Sequence, residues 1–523
     1  MKNKFIYLAV LAAGFASCEP EFENEVGANY SAGDADFSSF VAVGNSLTAG
    51  YMDGTVSRGS QANSFPSLLA RQFALVGGGE FTQPSYADDV NNLGGLMLGG
   101  IPIGNTRLVI DASEGRPENI AGTSTIEVSN LQETAYNNMG VPGAKSFHLL
   151  APGYGNLAGV ALGQSNPYFV RHATSPTATV LGDAMLKNPT FFTNWIGAND
   201  VLSYATNGGA QADGITPAVD QTGNMNATSY GSNDITDPGL FNIVYGQIIT
   251  NLTSGGAKGI VATVPSVTSI PYFTTVPYNP LSPTALGGEA NINALNAQLY
   301  GPLNQIFSAF GEPNRVKLLS ATSANPILIY DADAADRSAQ ITAVLTPTLG
   351  APTATAFGMV FGKARQATRE DLVVLPASSV IGTPNASSPS TLININGVSY
   401  PMANRWVLTS NEKMKVATAT AAYNSSVRSI AAANGLAVAD MNAIMNQLVG
   451  GLRIEDGTIY TANYFSSATA STVLFSLDGV HPNAKGYAVI TNEIIKVINR
   501  HYNANLPFVY ASSFPGATIL LTN

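Results

Sequence analysis

The arrangement of short apolar runs along the chain constrains its fold more than any other feature. Residues 40–44, 191–197, 259–264 and 436–439 are each dominated by apolar side chains, and helical patterns lie between them. A short continuous run of this kind is typical of a strand that is buried in a parallel sheet. Strands that alternate with helices in this way predict a layered α/β fold.

The helices between these runs are predicted from apolar spacing and from capping residues. Apolar side chains recur at helical spacing over residues 240–252. Thr409 and Glu412 have the spacing of a capping box, in which each side chain hydrogen-bonds the backbone of the other residue. Asn483 is expected to cap the last helix of the domain.

Long stretches with little helical periodicity separate these elements. They cover residues 51–135, 203–237, 265–290 and 320–408. We interpret them as insertions on one core domain, residues 37–505, that form a cap over its functional site. A separate second domain within residues 320–408 is the alternative.

Two smaller segments are also interpreted from their patterns. The alternating polarity of residues 391–395 predicts a short strand. Residues 506–523 form a C-terminal tail, in which the apolar residues 519–521 are expected either to add an edge strand or to pack on the core.

The N-terminus has the pattern of a targeting segment. A basic start precedes an apolar run over residues 5–15, which is too short to span a bilayer as a stable helix. Residues 1–17 are therefore predicted to be a signal peptide. The only cysteine, Cys18, is placed like the lipidated cysteine of a bacterial lipobox, although Phe15 replaces the usual leucine. An ordinary secretory signal, with Cys18 as an incidental thiol, is the alternative.

Residues 18–36 are predicted to form a polar, acidic linker. Its first part is similar to the export tag of surface-exposed lipoproteins in Bacteroidetes-type bacteria, whereas a solvated tether explains the same composition. The expected location is the bacterial cell envelope, with a lipid anchor at Cys18 in the outer membrane. Exposure at the cell surface follows only if the export-tag interpretation holds.

The overall charge excludes one class of partner. The chain has 24 Lys and Arg residues against 34 Asp and Glu residues, a formal net charge of −10. Nucleic acid is not expected as a partner, because phosphate contacts need clustered basic residues. The sequence has no H-E-x-x-H motif and no Cys/His cluster, so no metal site and no cofactor are predicted.

One of the four histidines has a carboxylate at a distinctive spacing. His481 lies three residues after Asp478, and no other histidine has an aspartate at that position. A serine hydrolase needs an accessible hydroxyl, an imidazole that takes its proton and a carboxylate that orients the imidazole. Ser46 lies two residues after the first apolar run. These three residues together suggest a serine hydrolase.

Four segments in chain order resemble the sequence blocks of the SGNH (GDSL-like) hydrolases. They are Gly44-Asn45-Ser46-Leu47, Asn138-Met139-Gly140-Val141-Pro142-Gly143-Ala144, Gly197-Ala198-Asn199-Asp200 and Asp478-Gly479-Val480-His481-Pro482. The resemblance implies a three-layer α/β/α fold with a flavodoxin-like parallel sheet, on which the long stretches above are insertions. The chain departs from the family where Asn45 replaces the usual aspartate before the serine.

The resemblance also implies roles for the site residues. Ser46 would be the nucleophile, His481 the general base and then the general acid, and Asp478 the carboxylate that holds the imidazole. The oxyanion hole would consist of the Ser46 N–H, a glycine N–H of the second segment and the side-chain amide of Asn199. That glycine is Gly143 or Gly140.

We favour Gly143, because a preceding proline and a small following residue suit a turn that carries an exposed N–H. A second G-x-N-D pattern occurs at Gly231-Ser232-Asn233-Asp234. It follows a polar stretch instead of an apolar run, so we interpret it as a loop.

The predicted activity is hydrolysis of a carboxylic ester through an acyl-enzyme on Ser46. Candidate substrates are lipid, short-chain and acetyl esters, with lipid or short-chain esters favoured over acetyl groups on glycans. Aromatic residues of the insertions could wall a pocket for acyl chains or could equally be core: Tyr272, Phe273, Tyr278, Phe307 and Phe310.

The alternative function is a surface lipoprotein that binds glycan or lipid on the same scaffold without turnover. The complete set of Ser46, Asp478 and His481 favours an enzyme, because a protein that only binds has no need of all three.

Overall fold

The computed structural model describes residues 29–466 and 468–523. The predicted signal peptide, the predicted lipidation site Cys18 and linker residues 19–28 lie outside the described residues. Within the described part of the chain, no helix combines the length and the apolar composition needed to cross a membrane.

The end of the predicted linker packs against the C-terminal part of the chain. Ser31 and Asn505 exchange backbone hydrogen bonds of 3.2 and 2.9 Å, and the Asp34 N–H donates to the Tyr502 carbonyl at 2.7 Å. Residues 29–36 are therefore held on the fold at the end of its last helix.

Five parallel strands form a central sheet, and the other strands form small sheets around it. In chain order the strands are β1 (Phe40–Gly44), β2 (Leu96–Leu98), β3 (Ile101–Gly104), β4 (Leu108–Asp111), β5 (Arg116–Asn119), β6 (Asn138–Gly140), β7 (Phe191–Trp195), β8 (Lys258–Ala262), β9 (Leu328–Tyr330), β10 (Ala364–Gln366), β11 (Leu372–Val373), β12 (Val407–Leu408), β13 (Ala437–Ala439), β14 (Leu452–Arg453), β15 (Ile459–Tyr460) and β16 (Ile519–Leu520). The prediction of a parallel α/β sheet is confirmed, and each of the four apolar runs overlaps one of its strands.

The order of the central strands creates a crevice at one edge of the sheet. The order is β13-β8-β7-β1-β6. When the five strands are numbered along the chain and the sheet is read from the β6 edge, this order is 2-1-3-4-5. In such doubly wound sheets, ligands bind outside the carboxyl ends of the strands at the point where the winding reverses. That point lies here between β1 and β7, whose last residues, Gly44 and Trp195, are register partners.

Helices cover both faces of this sheet. In chain order they are α1 (Ser46–Ala49), α2 (Arg58–Ala62), α3 (Phe65–Ala74), α4 (Pro167–Val170), α5 (Val180–Met185), α6 (Asn199–Thr206), α7 (Pro238–Thr253), α8 (Pro271–Thr274), α9 (Glu289–Leu295), α10 (Gly301–Ala309), α11 (Ser338–Leu349), α12 (Ala351–Phe361), α13 (Ser410–Ala433), α14 (Met441–Gly450) and α15 (Ala484–His501). Shorter 3-10 turns cover Ser146–Leu150, Leu157–Leu162, Ala227–Ser229, Val267–Ser269, Leu375–Ser379, Thr391–Ile393, Asn404–Trp406 and Ala511–Ser513, and a π-helical turn covers Asn296–Tyr300.

The alternation of side chains along the strands divides the core into two layers. Phe40 and Ala42 of β1 pack with apolar residues of α3 and α15 on one face. Val41 and Val43 pack with residues of α5, α7 and α13 on the other face. This division follows from the two-residue period of a strand. Each large apolar side chain buried in these layers contributes about 1.5–3 kcal/mol to folding.

The predicted helix signals are confirmed. Helix α7 contains residues 240–252, and the Thr409–Glu412 capping box precedes and opens α13. Asn483 caps α15 by accepting a hydrogen bond from the Gly486 N–H at 2.8 Å.

Residues 51–135 contribute a helix that covers the central sheet, as well as small sheets and loops around it. Helix α3 lies on the sheet beside α15. Farther along, strand β4 pairs in parallel with β16 of the tail, so that Ile110 is the register partner of Ile519. The tail therefore adds an edge strand to a small sheet.

Residues 320–408 share the core of the central sheet. Ile327, Leu328 and Ile329 belong to the same apolar cluster as Val41, and α11 and α12 pack together as a helical hairpin. The predicted short strand at residues 391–395 is wrong. The Ser390 side chain accepts a hydrogen bond from the Leu392 N–H at 3.2 Å, which caps a 3-10 turn there instead.

Candidate active site

Ser46 lies at the turn between β1 and α1, at the carboxyl edge of the central sheet. The Asn45 side chain caps α1 by accepting a hydrogen bond from the Leu47 N–H at 3.1 Å. A short polar side chain is well suited to this position. The amide of Asn45 therefore supports the turn that carries Ser46.

The loop of residues 476–481 carries the candidate acid and base. Gly479 has a φ of 71°, a left-handed conformation that favours glycine. Asp478 Oδ1 accepts hydrogen bonds from the N–H groups of Val480 and His481, both at 2.8 Å. Because the loop wraps around its own carboxylate, the side chains of Asp478 and His481 are held side by side.

A chain of hydrogen bonds joins Asp478, His481 and Ser46. His481 Nδ1 lies 2.8 Å from Asp478 Oδ2, and His481 Nε2 lies 2.9 Å from Ser46 Oγ. The carboxylate places a proton on Nδ1, so the lone pair of Nε2 faces the serine hydroxyl. Tyr51 packs against the imidazole, with ring centroids 4.5 Å apart. The side chains of His481 and Asp478 are only 13% and 14% exposed, so the hydrogen bond between them is largely screened from water.

Asp478 is the negative charge of this arrangement. Burial opposes its ionisation, but the charge of His481 and the hydrogen bonds from His481 and Val480 outweigh burial and lower the pKa of the Asp478 carboxyl. The group is therefore ionised near neutral pH, where it can stabilise an imidazolium at His481.

Two backbone N–H groups near the hydrogen-bonded residues Asp478, His481 and Ser46 have no acceptor among the described residues. They belong to Ser46 and Gly143, and Gly143 is exposed with a φ of 79°. The N–H of Gly140, in contrast, donates to Asn138 Oδ1 at 3.0 Å. Gly143 is therefore the glycine of this segment whose N–H is free for a substrate oxygen.

Asn199 provides a third donor in the same place. The Val141 N–H donates to the Gly44 carbonyl at 3.0 Å, which joins the second segment to the turn that carries Ser46. Asn199 Nδ2 donates one hydrogen to the Ala144 carbonyl at 2.9 Å, and its other hydrogen remains available. Preorganised donors of this kind stabilise the negative charge that develops on a carbonyl oxygen during acyl transfer.

Asp200 fixes the second and third segments to each other. Its carboxylate accepts hydrogen bonds from the Ser146 N–H at 2.9 Å and the Ser146 hydroxyl at 2.7 Å. Ser146 follows Gly143 closely in sequence, and Asp200 directly follows Asn199. The two bonds therefore hold the donors at Gly143 and Asn199 in a fixed relation.

The turn at residues 51–54 supports the 476–481 loop. The Asp53 N–H donates to Ser476 Oγ at 3.0 Å, and that hydroxyl donates to Asp478 Oδ1 at 3.0 Å. The Gly54 N–H donates to Asp478 Oδ2 at 3.2 Å. This support was not predicted, because residues 51–54 lie in a predicted insertion and no local sequence pattern indicates contact between residues more than 400 positions apart.

Asp53 also brings a second buried carboxyl next to Asp478. Its Oδ1 accepts a hydrogen bond from the Leu477 N–H at 2.9 Å. Burial raises the pKa of Asp53 to about 7, the Leu477 N–H opposes this rise, and the charge of Asp478 adds to it. Asp53 therefore changes its protonation state near neutral pH.

An apolar cavity opens beside Ser46 at the carboxyl edge of the sheet. Ser46, Asn199 and His481 all contribute to its wall, and its volume is about 120 Å³. The cavity lies at the end of β1 and β7, where the strand order predicts a ligand site.

Two helices contribute apolar side chains to the rest of the cavity wall. Helix α14 contributes Met441, Met445 and Leu448, and α15 contributes Val489 and Ile490. No charged side chain other than the His481 imidazole, when protonated, is among the lining residues within the described chain.

The aromatic residues of the insertions do not form this wall, so their interpretation as an acyl pocket is wrong. Phe273 and Phe307 are buried in the core, as the alternative interpretation expected. Phe310 is 41% exposed, and Tyr272 and Tyr278 are partly buried against the core cluster.

The other histidines lie away from the cavity wall. His148 stacks on Tyr154, and burial lowers the pKa of His148 to about 4. His172 is buried beside Phe169, and His501 Nε2 lies 3.2 Å from a backbone carbonyl. In residues 29–466 and 468–523, no group of three or more His, Cys, Asp or Glu side chains is placed to hold a metal ion.

The second G-x-N-D pattern is a loop, as predicted. Asp234 accepts hydrogen bonds from the Val219 N–H and the Gly231 N–H, both at 2.8 Å, and from Gln211 at 2.6 Å. This aspartate holds the 203–237 segment together.

Comparisons with known proteins give little further information. No protein-family model and no curated protein matches the chain. Among solved structures, the chain is similar to LAE5, described as an alpha/beta hydrolase enzyme from the metagenome of Lake Arreo, Spain. The match has 10% identity and a TM-score of 0.29, and it covers 89% of this chain and 96% of that one. A TM-score this low does not indicate a shared topology.

Proposed function

We propose that this protein is a serine ester hydrolase of the SGNH (GDSL-like) type, with Ser46 as nucleophile. The observation that carries the proposal is the hydrogen-bond chain from Asp478 through His481 to Ser46, with distances of 2.8 and 2.9 Å. It ends at the mouth of an apolar cavity. A hydroxyl, a base and an orienting carboxylate are the parts that acyl transfer through a serine requires.

The first half of the reaction forms an acyl-enzyme. His481 Nε2 takes the proton of the Ser46 hydroxyl as its oxygen attacks the ester carbonyl carbon. The carbonyl oxygen becomes an oxyanion that accepts hydrogen bonds from the N–H groups of Ser46 and Gly143 and from Asn199. The tetrahedral intermediate then expels the alcohol, which receives the proton from His481, and the acyl group stays on Ser46.

The second half releases the acid. A water molecule takes the place of the alcohol, and His481 Nε2 removes its proton as it attacks the acyl carbon. The same three donors hold the second oxyanion. Collapse of this intermediate returns the proton from His481 to Ser46 Oγ and frees the carboxylic acid.

The substrate class we propose is a carboxylic ester of a lipid or of a short acyl chain, in preference to an acetyl group on a glycan. A lipid anchor at Cys18 would place the enzyme on a membrane of the bacterial envelope, with the outer membrane as the proposed site. Labelling of cells with a radioactive fatty acid, compared between wild type and Cys18→Ala, tests the anchor.

Covalent labelling tests the catalytic proposal directly. The purified wild type is expected to react with a fluorophosphonate probe and to hydrolyse p-nitrophenyl esters. Ser46→Ala should lose labelling and about 10⁶-fold in kcat. The control is Ser254→Ala at an exposed serine, which should keep both.

Two results would overturn the proposal. One is full esterase activity in Ser46→Ala. The other is a folded wild type that neither reacts with the probe nor hydrolyses any ester, which would favour the non-catalytic binding protein.

A further inference from the structure

The cavity beside Ser46 has a composition that suits one part of an ester better than another. Met441, Met445 and Leu448 line it from α14, and Val489 and Ile490 line it from α15. Binding an aliphatic group to such a surface is favourable because it removes apolar area from water. The surface has few hydrogen-bond partners for a sugar or a charged group. Its polar lining residues are Ser46, Asn199 and His481 of the catalytic site, Asn45 of the same turn, and Trp195 with its indole N–H.

The order of events in the reaction decides which half of the ester fits the cavity. The alcohol must leave after the first step, and water must then reach His481 Nε2 by the same route. An alcohol enclosed by apolar walls would obstruct both movements. The acyl chain stays bonded to Ser46 until the last step, so an enclosed apolar site suits it.

We infer that the cavity between α14 and α15 binds the aliphatic acyl chain of a medium- or long-chain ester, so that the preferred substrate is a lipid-type ester. The inference rests on the proposed function and deepens it. Met445 and Leu448 are assigned as residues that set the chain length. Methionine side chains are flexible and polarisable, and they adapt to chains of different shape.

A series of p-nitrophenyl esters tests the acyl side of the site. With acetate, butyrate, octanoate and palmitate, kcat/KM is expected to rise about fourfold for each methylene that enters the cavity, which is 0.8 kcal/mol converted to a ratio. The increase should stop at the length that fills the cavity. A second series with a fixed acetyl group and alcohols of increasing length should be nearly flat.

Filling the cavity tests the assignment of α14. Met445→Trp should lower kcat/KM for the octanoate ester by roughly 10²-fold and leave the acetate ester within about threefold. Met445→Phe is the milder variant and should shorten the preferred chain. The matched control is Met414→Trp, because Met414 is 62% exposed on α13. Retained acetate hydrolysis shows that each variant is folded.

Binding can be measured without turnover because of the position of the tryptophans. The chain has two tryptophans, and Trp195 contributes to the cavity wall. Trp406 lies in a 3-10 turn and does not line the cavity within the described residues. In Ser46→Ala with Trp406→Phe, a brominated fatty acid should quench Trp195 fluorescence saturably, and adding Met445→Phe should weaken that binding.

The outcomes separate this inference from the catalytic proposal. A flat acyl series in an enzyme that needs Ser46 would overturn the acyl-chain assignment and leave the hydrolase intact. A rising alcohol series would assign the cavity to the leaving group instead. Saturable quenching in a protein without esterase activity would support the lipid-chain site and overturn the catalytic proposal.

Discussion

The 476–481 loop and the apolar cavity meet at His481, but they are built from residues at very different separations in the chain. In the loop, Asp478 is held by the N–H groups of Val480 and His481, so most of its geometry is local. The cavity combines short segments that lie far apart in the chain, from Asn45 to Ile490. The pairing of Asp478 with His481 is therefore encoded locally, whereas the contact of His481 with Ser46 and the shape of the cavity depend on the tertiary fold.

The two regions should therefore respond differently to mutation. A change in the loop alters the base that every substrate uses, so the loss should be the same for all acyl chains. A change in the cavity alters burial of the acyl chain, so the loss should grow with chain length. The acyl-chain series provides the measurement that separates the two.

The largest effect among the loop variants is expected for Asp478→Asn. The amide would face the Gly54 N–H and His481 Nδ1, which favours the wrong imidazole tautomer, and kcat should fall about 10⁴-fold. The acetate and octanoate esters should lose activity by the same factor. A loss that depends on chain length would contradict the separation of loop and cavity.

A smaller effect is expected for Asn199→Ala, which removes one oxyanion donor. The expected loss in kcat is about 10²–10³-fold, again with no dependence on acyl length. Asn446→Ala, at an exposed asparagine of α14, is the matched control and should keep full activity. Because Asn199 also lines the cavity, a loss confined to KM for long chains would show that it acts by packing alone.

Much of the fold could be predicted from the sequence because its signals are local. The apolar runs gave four of the five central strands, and the capping residues Thr409 and Asn483 marked the start of two helices. Strand β6 lacked such a signal, since it is only three residues long and begins with Asn138. Helices α11 and α12 were missed because threonine, glycine and proline interrupt their apolar pattern.

The residues of the site also divide into those with a local sequence signal and those without one. Ser46, Asp478, His481 and Asn199 each follow a recognisable turn or strand, and the structure brings them together. The cavity was not predicted, because Met445 and Val489 each have the spacing of ordinary core residues on a helix. The cavity arises only in the tertiary fold, where α14 and α15 face Ser46 and Trp195 at the ends of β1 and β7.

The smallest effect on activity is expected for Asp53, which supports the loop without contacting a substrate. Its folded pKa of about 7 lies above the ordinary value of 3.8. For an acid, a raised folded pKa means that the folded state holds its proton more tightly than the unfolded chain. The contribution of protonated Asp53 to the free energy of unfolding is therefore fully present below pH 3.8 and is lost as the pH rises through about 7. The total loss is up to about 4 kcal/mol.

Asp53→Asn should remove this pH dependence, since an amide remains neutral and its oxygen can still accept the Leu477 N–H. The urea midpoint of the variant should exceed that of wild type at pH 8 and approach it at pH 4, while kcat at pH 7 stays within about threefold. Asp213→Asn is a control in which the pKa shift has the opposite sign, because hydrogen bonds from Thr216 lower the pKa of Asp213. Equal midpoints for Asp53→Asn and wild type at pH 8 would mean that the charge of Asp53 is tolerated beside Asp478, and that the loop is less shielded than the cavity it adjoins.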